Sequence, residues 1–428
     1  MPSLIAWLDA SSEEERRMRE IIALFTDRDS RDELGIGQIR DALSNGLFPG
    51  TSTLLTRARY ALFVPWCFQL AAQRPDAREA AARNERTLIS GLRRTNERGV
   101  LGLRAGESLK TLPSSLYWGT LRTYGIVDDS IESTTDLLNR LRERGGRGGP
   151  AMSEDDLLEQ SGLVWTPTFD TLPVPDGFPS SVEGGFDLTN AEAGFLRDRI
   201  LERAPGTVMA HLVTAGVSPD RDSASPWADP ATDGLLPAGA NLLRLAETFS
   251  IVTHGAALLY NLMLAEERAQ LLRDERGRNE PDLDDGHDDR GTHEPDDRDA
   301  TVAVYRDALR QWADEAEAAE VARWDTAALW AWLATNSTTR IAGATRGYID
   351  EWVRLLSATD LTALADDPEA RRRVRERERL QKRGLARLGN PDRLRGWTGA
   401  SGSNALTYRW PTVRDIVIDI REGLARDA

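Results

Sequence analysis

Apolar residues recur every three or four positions along most of the chain, the spacing that places them on one face of an α-helix. The longest such stretch runs from Asn241 to Arg273, and its shared face comprises Leu242, Leu245, Phe249, Val252, Ala256, Leu259 and Met263. The strict alternation typical of half-buried strands is scarce. The pattern therefore predicts a mainly α fold with little or no sheet.

Other helices are predicted by the same periodicity, together with capping residues and the prolines and glycines that interrupt it. Their predicted ranges are 13–26, 36–47, 75–97, 109–124, 128–144, 189–204, 302–334, 341–356, 369–388 and 413–424. A further helix is expected to begin at Thr51 and Ser52, whose hydroxyls suit an N-cap, and to kink or end at Pro65.

Two segments interrupt the helical pattern and divide the chain. Residues 165–188 are rich in proline and glycine at a spacing that a helix cannot accommodate, so we expect an extended linker or arm there. This predicts an N-terminal helical domain over 1–164 and a C-terminal helical domain over 189–428. The second segment, 274–299, has few apolar residues and is expected to be a disordered acidic insertion.

Charge is distributed unevenly along the sequence. The 428 residues carry a formal net charge of −15, and residues 274–299, with 12 acidic residues and 4 arginines, account for −8 of it. Residues 368–397 carry 11 basic and 4 acidic side chains, a net charge of +7. The basic helix 369–388 is either a solvated surface helix held by i,i+4 ion pairs or a contact for phosphate or RNA. The total charge therefore predicts little about partners.

The residue types that carry common chemistry are few. Cys67 is the single cysteine, which excludes an internal disulfide, and Lys110 and Lys382 are the only lysines among 54 basic residues. Neither lysine follows a phosphate-loop glycine pattern, and no H-E-x-x-H or G-x-S-x-G motif occurs. His287 and His293 lie among carboxylates without the spacing of a calcium loop, which favours adventitious metal affinity or none. The sequence thus favours a chain that is not an enzyme, with no cofactor and no metal site.

The sequence predicts neither a secretory signal nor a membrane span. The N-terminus lacks a basic region before an apolar stretch, and no uncharged apolar run approaches ~18 residues. We therefore expect a cytoplasmic protein.

The segment 32–66 is the densest in groups that bind anions. Hydroxyls at a helix start, followed within two turns by arginines, form a site suited to phosphate or to a nucleic-acid backbone. The candidate residues are Arg40, Thr51, Ser52, Arg57, Arg59 and Tyr60. The alternative is an ordinary capped helix whose arginines pair with Asp32, Glu33 or Asp41.

A second cluster is centred on the long apolar helix. His254 and Asn261 lie about two turns apart on it, and with Asp9 they would form a functional cluster if they met the Arg57 block in space. The alternative is a core histidine that is simply hydrogen-bonded.

Several motifs of this chain resemble those of a bacterial family known only as a domain of unknown function. They are DELGIGQIRD at 32–41, LFPGTSTLLTRARYALFVPW at 47–66, HGAALLYN at 254–261, ARLGNP at 386–391 and LTYRWPTVRDIVIDI at 406–420. The resemblance spans essentially the whole chain and implies no catalytic residues. It does imply a genomic context, because members are associated with operons that also encode helicases and phospholipase-D-like nucleases, as in antiviral defence.

We therefore expect a non-enzymatic helical adaptor in a bacterial multi-protein system, working with a helicase or nuclease partner. Its twelve tryptophans favour this hypothesis, since indoles are enriched at interfaces. One alternative is a nucleic-acid-binding protein that uses the arginine and hydroxyl block with the basic helix 369–388. Another is an enzyme with an unrecognised site.

Overall fold

The computed structural model describes residues 32–95, 97–102, 111–146, 164–279, 297–337 and 340–426. These residues are mainly helical, and among them the only extended pairing is one isolated bridge between Val127 and Trp165. The prediction of a mainly α fold with little or no sheet is confirmed. The predicted helix 13–26 and Asp9 lie outside the described residues.

The α-helices are numbered here in chain order. They are α1 (Gly37–Leu47), α2 (Tyr60–Ala72), α3 (Ala77–Arg93), α4 (Pro113–Thr123), α5 (Thr134–Gly146), α6 (Asn190–Arg203), α7 (Val208–Leu212), α8 (Pro237–Asn279), α9 (Asp297–Ala318), α10 (Ala327–Asn336), α11 (Gly343–Ala358), α12 (Pro368–Lys382), α13 (Pro391–Leu394) and α14 (Trp410–Leu424). Short 3-10 turns connect several of them, at Pro167–Thr171, Pro226–Ala228, Pro230–Thr232, Val321–Arg323, Leu361–Asp366 and Arg383–Leu385.

Helix boundaries follow local signals where those signals are strong. The Thr189 hydroxyl accepts a hydrogen bond from the Glu192 backbone amide while the Glu192 carboxylate accepts one from the Thr189 amide, a complete capping box for α6. Residues 302–334, expected as one helix, form parts of α9 and α10, because Glu320 adopts a left-handed conformation with φ 52° that ends the first. The acidic stretch 274–299 begins inside α8, and its residues 280–296 lie outside the described residues.

The chain divides into two compact units that do not follow the predicted domain boundaries. Unit 1 consists of Met1–Ala42 and Leu245–Leu406, and unit 2 consists of Leu43–Arg244 and Thr407–Ala428. Each unit therefore combines segments that are distant in sequence.

In unit 2 the proline- and glycine-rich segment contributes to the core. Trp165, Phe169 and Phe186 are buried, and the rings of Phe169 and Phe186 contact Trp66 and Phe63 of α2. Aromatic burial thus fixes a segment whose backbone is not helical, and what the composition predicted as a linker lies within one unit.

Helix α2 is the centre of unit 2 and packs against α3, α4 and α5, while α6 packs against α14. Most α2 residues are buried, including Pro65, which lies inside the helix rather than at its end. Burial on nearly every side supplies the stability that an interior proline removes from the backbone ladder.

In unit 1 the core is built around residues 246–269 of α8. The indole Nε1 atoms of Trp312 and Trp352 donate to the Ile251 and Val252 carbonyls, at 2.7 and 2.9 Å. A Cβ at Gly255 would stand 2.4 Å from the Trp312 ring, so only glycine allows this close approach. The glycine of the HGAALLYN motif therefore has a packing role.

The length and composition of α8 are sufficient for a membrane span, and its residues 248–265 include no Asp, Glu, Lys or Arg. Within the structure, 83% of its most apolar window is buried. A core helix shows the same properties, so this is weak evidence for a membrane segment.

Tryptophans are mainly core residues in this fold. Of the eleven in the described part of the chain, seven are buried and four are partly exposed. Their abundance therefore gives little support to an interface.

Candidate functional site

Residues 51–59, which belong to the predicted anion block, do not form a helix start. The Thr51 hydroxyl donates to the Phe48 carbonyl, and the Ser52 hydroxyl accepts from the Leu54 amide within a turn. The helix that follows, α2, begins only at Tyr60. The prediction that Thr51 and Ser52 begin a helix is therefore wrong.

Tertiary contacts explain why this segment is not helical. The Tyr117 hydroxyl accepts hydrogen bonds from the Thr56 and Arg57 amides, at 3.0 and 3.1 Å, and donates to the Arg57 carbonyl at 2.8 Å. The Asp419 carboxylate accepts from the Ala58 amide at 2.9 Å. Amides that a helix starting at Thr51 would have bonded internally are instead satisfied by side chains distant in sequence.

Arg57 is held by an internal carboxylate. The Arg57 Nε atom lies 2.9 and 3.1 Å from the two carboxylate oxygens of Asp419, and its Nη2 atom lies 2.9 Å from one of them. The guanidinium group also lies over the Phe186 ring. Burial opposes the charge of Arg57, but the hydrogen bonds and charge of Asp419 hold its pKa above the ordinary value. This bidentate pair fastens the loop before α2 to α14.

Arg59 and Tyr60 are also buried in unit 2. Arg59 donates to the Glu192 carboxylate at 2.9 Å and to the Glu183 and Gly185 carbonyls. The Tyr60 hydroxyl accepts from the Leu101 amide at 3.0 Å. These contacts stabilise unit 2. The Arg59 side chain is only 4% exposed, so its guanidinium group is not accessible to a ligand.

Arg40 belongs to unit 1, unlike the rest of the predicted anion block. Its side chain is partly exposed, and Nε donates to Asp41 at 3.0 Å. The arginines of this block thus pair with internal carboxylates, although Asp419 and Glu192 were not among the partners that the sequence suggested.

A small apolar cavity lies beside this loop. Its volume is about 20 Å³, and its lining includes Leu55, Ala58, Tyr124, Ile200 and Ile416. Pockets that bind cofactors or drug-sized ligands are typically about 300–1,000 Å³, so this cavity is a packing defect of about one water molecule.

The second predicted cluster holds a loop in unit 1. The His254 Nε2 atom lies 3.1 Å from the Ser403 carbonyl, and Asn261 exchanges two hydrogen bonds with the Ser401 backbone, at 2.7 and 2.8 Å. The Tyr305 hydroxyl donates to the Gly399 carbonyl at 2.7 Å. His254 and Asn261 of α8, together with Tyr305 of α9, therefore clamp residues 399–403. The sequence did not predict this loop as their partner.

His254 is a neutral histidine in this setting. Burial lowers its pKa to about 4, against a smaller opposing effect of the hydrogen bond to Ser403. With Nε2 donating to a carbonyl, Nδ1 is the nitrogen without a proton, and it is buried without a hydrogen-bond partner among the described residues. The predicted functional cluster would combine residues of different units, since Arg57 and Tyr60 belong to unit 2, whereas His254 and Asn261 belong to unit 1.

A buried ionic cluster lies next to this clamp in unit 1. Glu33 accepts from Arg387 and pairs with Lys382, while Glu378 accepts from the Tyr260 hydroxyl at 2.7 Å. Glu378 also accepts from the amides of Arg387 and Leu388, at 2.7 and 3.0 Å. Two carboxylates thus balance two cations and fix the chain that follows α12.

Most arginines of α12 are neutralised by neighbouring glutamates. Arg371 pairs with Glu266, Arg372 with Glu369 and Glu376, Arg373 with Glu351 and Glu369, and Arg375 with Glu267. Arg377 is buried and donates to the Leu34 and Gly35 carbonyls. The basic helix is therefore mostly ion-paired, partly within itself and partly with glutamates of other segments of unit 1.

The end of α12 differs from the rest of the helix. Residues 379–385, of sequence RLQKRGL, are exposed except for the half-buried Lys382, and we call them the α12 ridge. Leu380 and Leu385 are 58% and 59% exposed. Arg379 and Arg383 are exposed and have no carboxylate partner among the described side chains. Two leucines and two unneutralised arginines thus share one short surface segment.

The backbone of the α12 ridge is constrained. Arg383 has φ 51° and ψ −122°, a conformation that costs a non-glycine residue roughly 1–3 kcal/mol. Its amide donates to the Arg379 carbonyl, and the Glu378 carboxylate fixes the two amides just beyond the ridge. Sequence reasoning missed this surface, although Leu380 and Leu385 lie in the strongly charged stretch 369–388, which was predicted as a helix and whose solvated face would carry polar residues.

The described residues contain no group of three or more histidine, cysteine, aspartate or glutamate side chains arranged to hold a metal ion. Residues 280–296, which include His287 and His293, lie outside them.

Comparison with known proteins gives a family but no activity. A family model described as a family of unknown function, DUF6361, matches residues 2–421. No curated protein and no solved structure matches the chain.

Proposed function

We propose, for a chain that belongs to the DUF6361 family of unknown function, that it is a non-enzymatic helical adaptor that binds a protein partner through the α12 ridge. The observation that carries this proposal is the joint exposure of Leu380 and Leu385 on a constrained backbone. Exposed apolar residues on a rigid surface favour protein association, since little conformational entropy is lost on binding.

The contacts of the residues that the sequence predicted as binding or functional clusters support an adaptor rather than an enzyme. Arg57 and Arg59 fasten a loop, and His254 and Asn261 clamp another. A functional acid or base must reach a reacting group, whereas these four side chains are engaged with their own chain.

The cellular setting is proposed from the motif resemblance described above. It suggests a cytoplasmic component of a bacterial multi-protein system in antiviral defence, whose partner is a helicase or a nuclease. The structure of this chain contributes the binding surface to that proposal, and the partner would contribute the nucleic-acid chemistry.

Co-purification from the native host tests the proposal. We expect the tagged wild-type chain to retain at least one product of the neighbouring genes and the Leu380→Asp/Leu385→Asp variant to lose it. Leu54→Asp is the matched control, because Leu54 is 61% exposed in unit 2. Equal retention by the wild-type chain and the ridge variant would contradict the proposal.

Nucleic-acid binding is the second candidate, favoured by Arg379 and Arg383, whose guanidinium groups pair with no carboxylate among the described side chains. It predicts that binding of DNA or RNA weakens steeply with salt, because phosphate contacts release counterions. In a filter-binding assay at low salt, Arg379→Gln/Arg383→Gln should then reduce retention of an oligonucleotide. Retention unchanged by this substitution would count against the α12 ridge as the contact.

A further inference from the structure

We infer that the α12 ridge recognises an acidic protein segment that also carries apolar side chains. This inference rests on the proposed adaptor function and names the chemistry of the partner. The carboxylates of such a segment would pair with Arg379 and Arg383, and its apolar side chains would cover Leu380 and Leu385.

Charge complementarity selects an acidic partner. Four arginines earlier in α12, at 371, 372, 373 and 375, already pair with glutamates of unit 1. Arg379 and Arg383 lie one helical turn apart and lack such partners among the described side chains, so positive charge is left uncompensated at the ridge. Arginine forms bidentate pairs with carboxylates, and a segment with two acidic residues would satisfy both.

The leucines select a protein rather than a nucleic acid. Leu380 adjoins Arg379, and Leu385 follows Arg383 by two residues, so each leucine lies close in sequence to an exposed arginine. A phosphate backbone would neutralise the arginines but would leave both leucines in water. The ridge also lacks aromatic side chains, on which unpaired bases would stack.

The ridge is organised before a partner arrives. Glu378 is fully buried and holds the amides of Arg387 and Leu388, and the Arg383 amide closes onto Arg379. These contacts constrain the backbone from which the side chains project, which reduces the backbone entropy lost on binding.

Selection from a displayed library of random peptides tests the inference directly. The full-length chain is the target, and the Arg379→Glu/Arg383→Glu variant is used to remove peptides that bind elsewhere. We expect the enriched peptides to contain at least two acidic residues together with leucine, isoleucine or phenylalanine. Enrichment of peptides without acidic residues, or no enrichment over the variant, would overturn the inference.

Affinity measurements on the most enriched peptide separate the two kinds of contact. Fluorescence anisotropy should show binding about tenfold weaker for Arg379→Gln/Arg383→Gln and for Leu380→Ser/Leu385→Ser. Arg340→Gln and Leu54→Ser, at other exposed positions, should bind like the wild type. Because all four ridge residues are exposed, these variants should fold. Added salt should weaken peptide binding by the wild type, which provides a second measure of the charge contacts.

The outcomes distinguish this inference from the adaptor proposal. Loss of binding in the leucine variant, with no effect of the arginine variant or of salt, would refute the acidic partner and retain a protein-binding ridge. If the chain binds an oligonucleotide more tightly than any selected peptide, both the acidic-partner inference and the adaptor proposal are refuted. Weaker peptide binding by the arginine variant, with unchanged binding by the leucine variant, would overturn the inference, because a purely electrostatic contact needs no apolar partner.

Discussion

A buried carboxyl group in unit 2 gives the sharpest prediction for the fold. Glu85 of α3 accepts from the Ser114 amide at 2.7 Å and from the Ser114 hydroxyl at 2.9 Å, so it caps the start of α4. The side chain is buried and has no ion pair among the described residues. Burial raises its pKa from 4.5 to about 7, although both hydrogen bonds from Ser114 oppose the rise.

The sign of the pH effect follows from that direction. A carboxyl whose pKa is raised by folding binds its proton more tightly in the folded state, so its contribution to stability is present below the unfolded pKa. That contribution is lost as the pH rises from 4.5 through about 7. At 1.36 kcal/mol per pKa unit, the loss in the free energy of unfolding is about 3 kcal/mol.

The Glu85→Gln variant removes this titration while keeping a side chain of the same shape. Urea unfolding followed by tryptophan fluorescence, at several values from about pH 5 to about pH 8, should show the variant gaining stability relative to the wild type as the pH rises. Glu79→Gln, an exposed glutamate on the same helix, is the matched control. A difference between Glu85→Gln and the wild type that does not change with pH would refute the reasoning.

Three further substitutions test other contacts. The wild type should lose stability as the pH falls from 6.5 towards about 4, because a histidine whose pKa is lowered by folding destabilises the fold when it is protonated. The His254→Gln variant should not show this loss, and urea unfolding of both proteins at each pH checks the prediction. Arg57→Met should cost about 3–5 kcal/mol in unfolding free energy, since it leaves Asp419 buried without its cation, and a cost below about 1 kcal/mol would contradict this role. Thr189→Ala should cost about 1 kcal/mol by loss of the capping box, measured by urea unfolding, and no change would show that the cap is dispensable.

The sequence predicted what local patterns determine. Helical periodicity gave the fold class and most helices, and the cap of α6 was evident from Thr189 and the glutamate that follows it. The start of α2 was misplaced because the amides before it are satisfied by Tyr117 and Asp419, which are distant in sequence. A local pattern carries no information about such partners.

The candidate sites show the same limit. His254 and Asn261 were noticed for their residue types, but the loop that they clamp lies 140 or more positions further along the chain. The predicted linker was judged by its prolines and glycines, whereas its aromatic residues, such as Trp165 and Phe169, decide its burial. The α12 ridge became visible only when most arginines of that helix proved to be paired.

The adaptor proposal is tested most directly by co-expressing the chain with the products of its flanking genes and measuring the mass of each complex by size-exclusion chromatography with light scattering. The account predicts that the wild type and Leu54→Asp elute in a complex with at least one product, and that Leu380→Asp/Leu385→Asp elutes alone. A wild-type chain that elutes alone in every combination, or a ridge variant that keeps the complex, would contradict it.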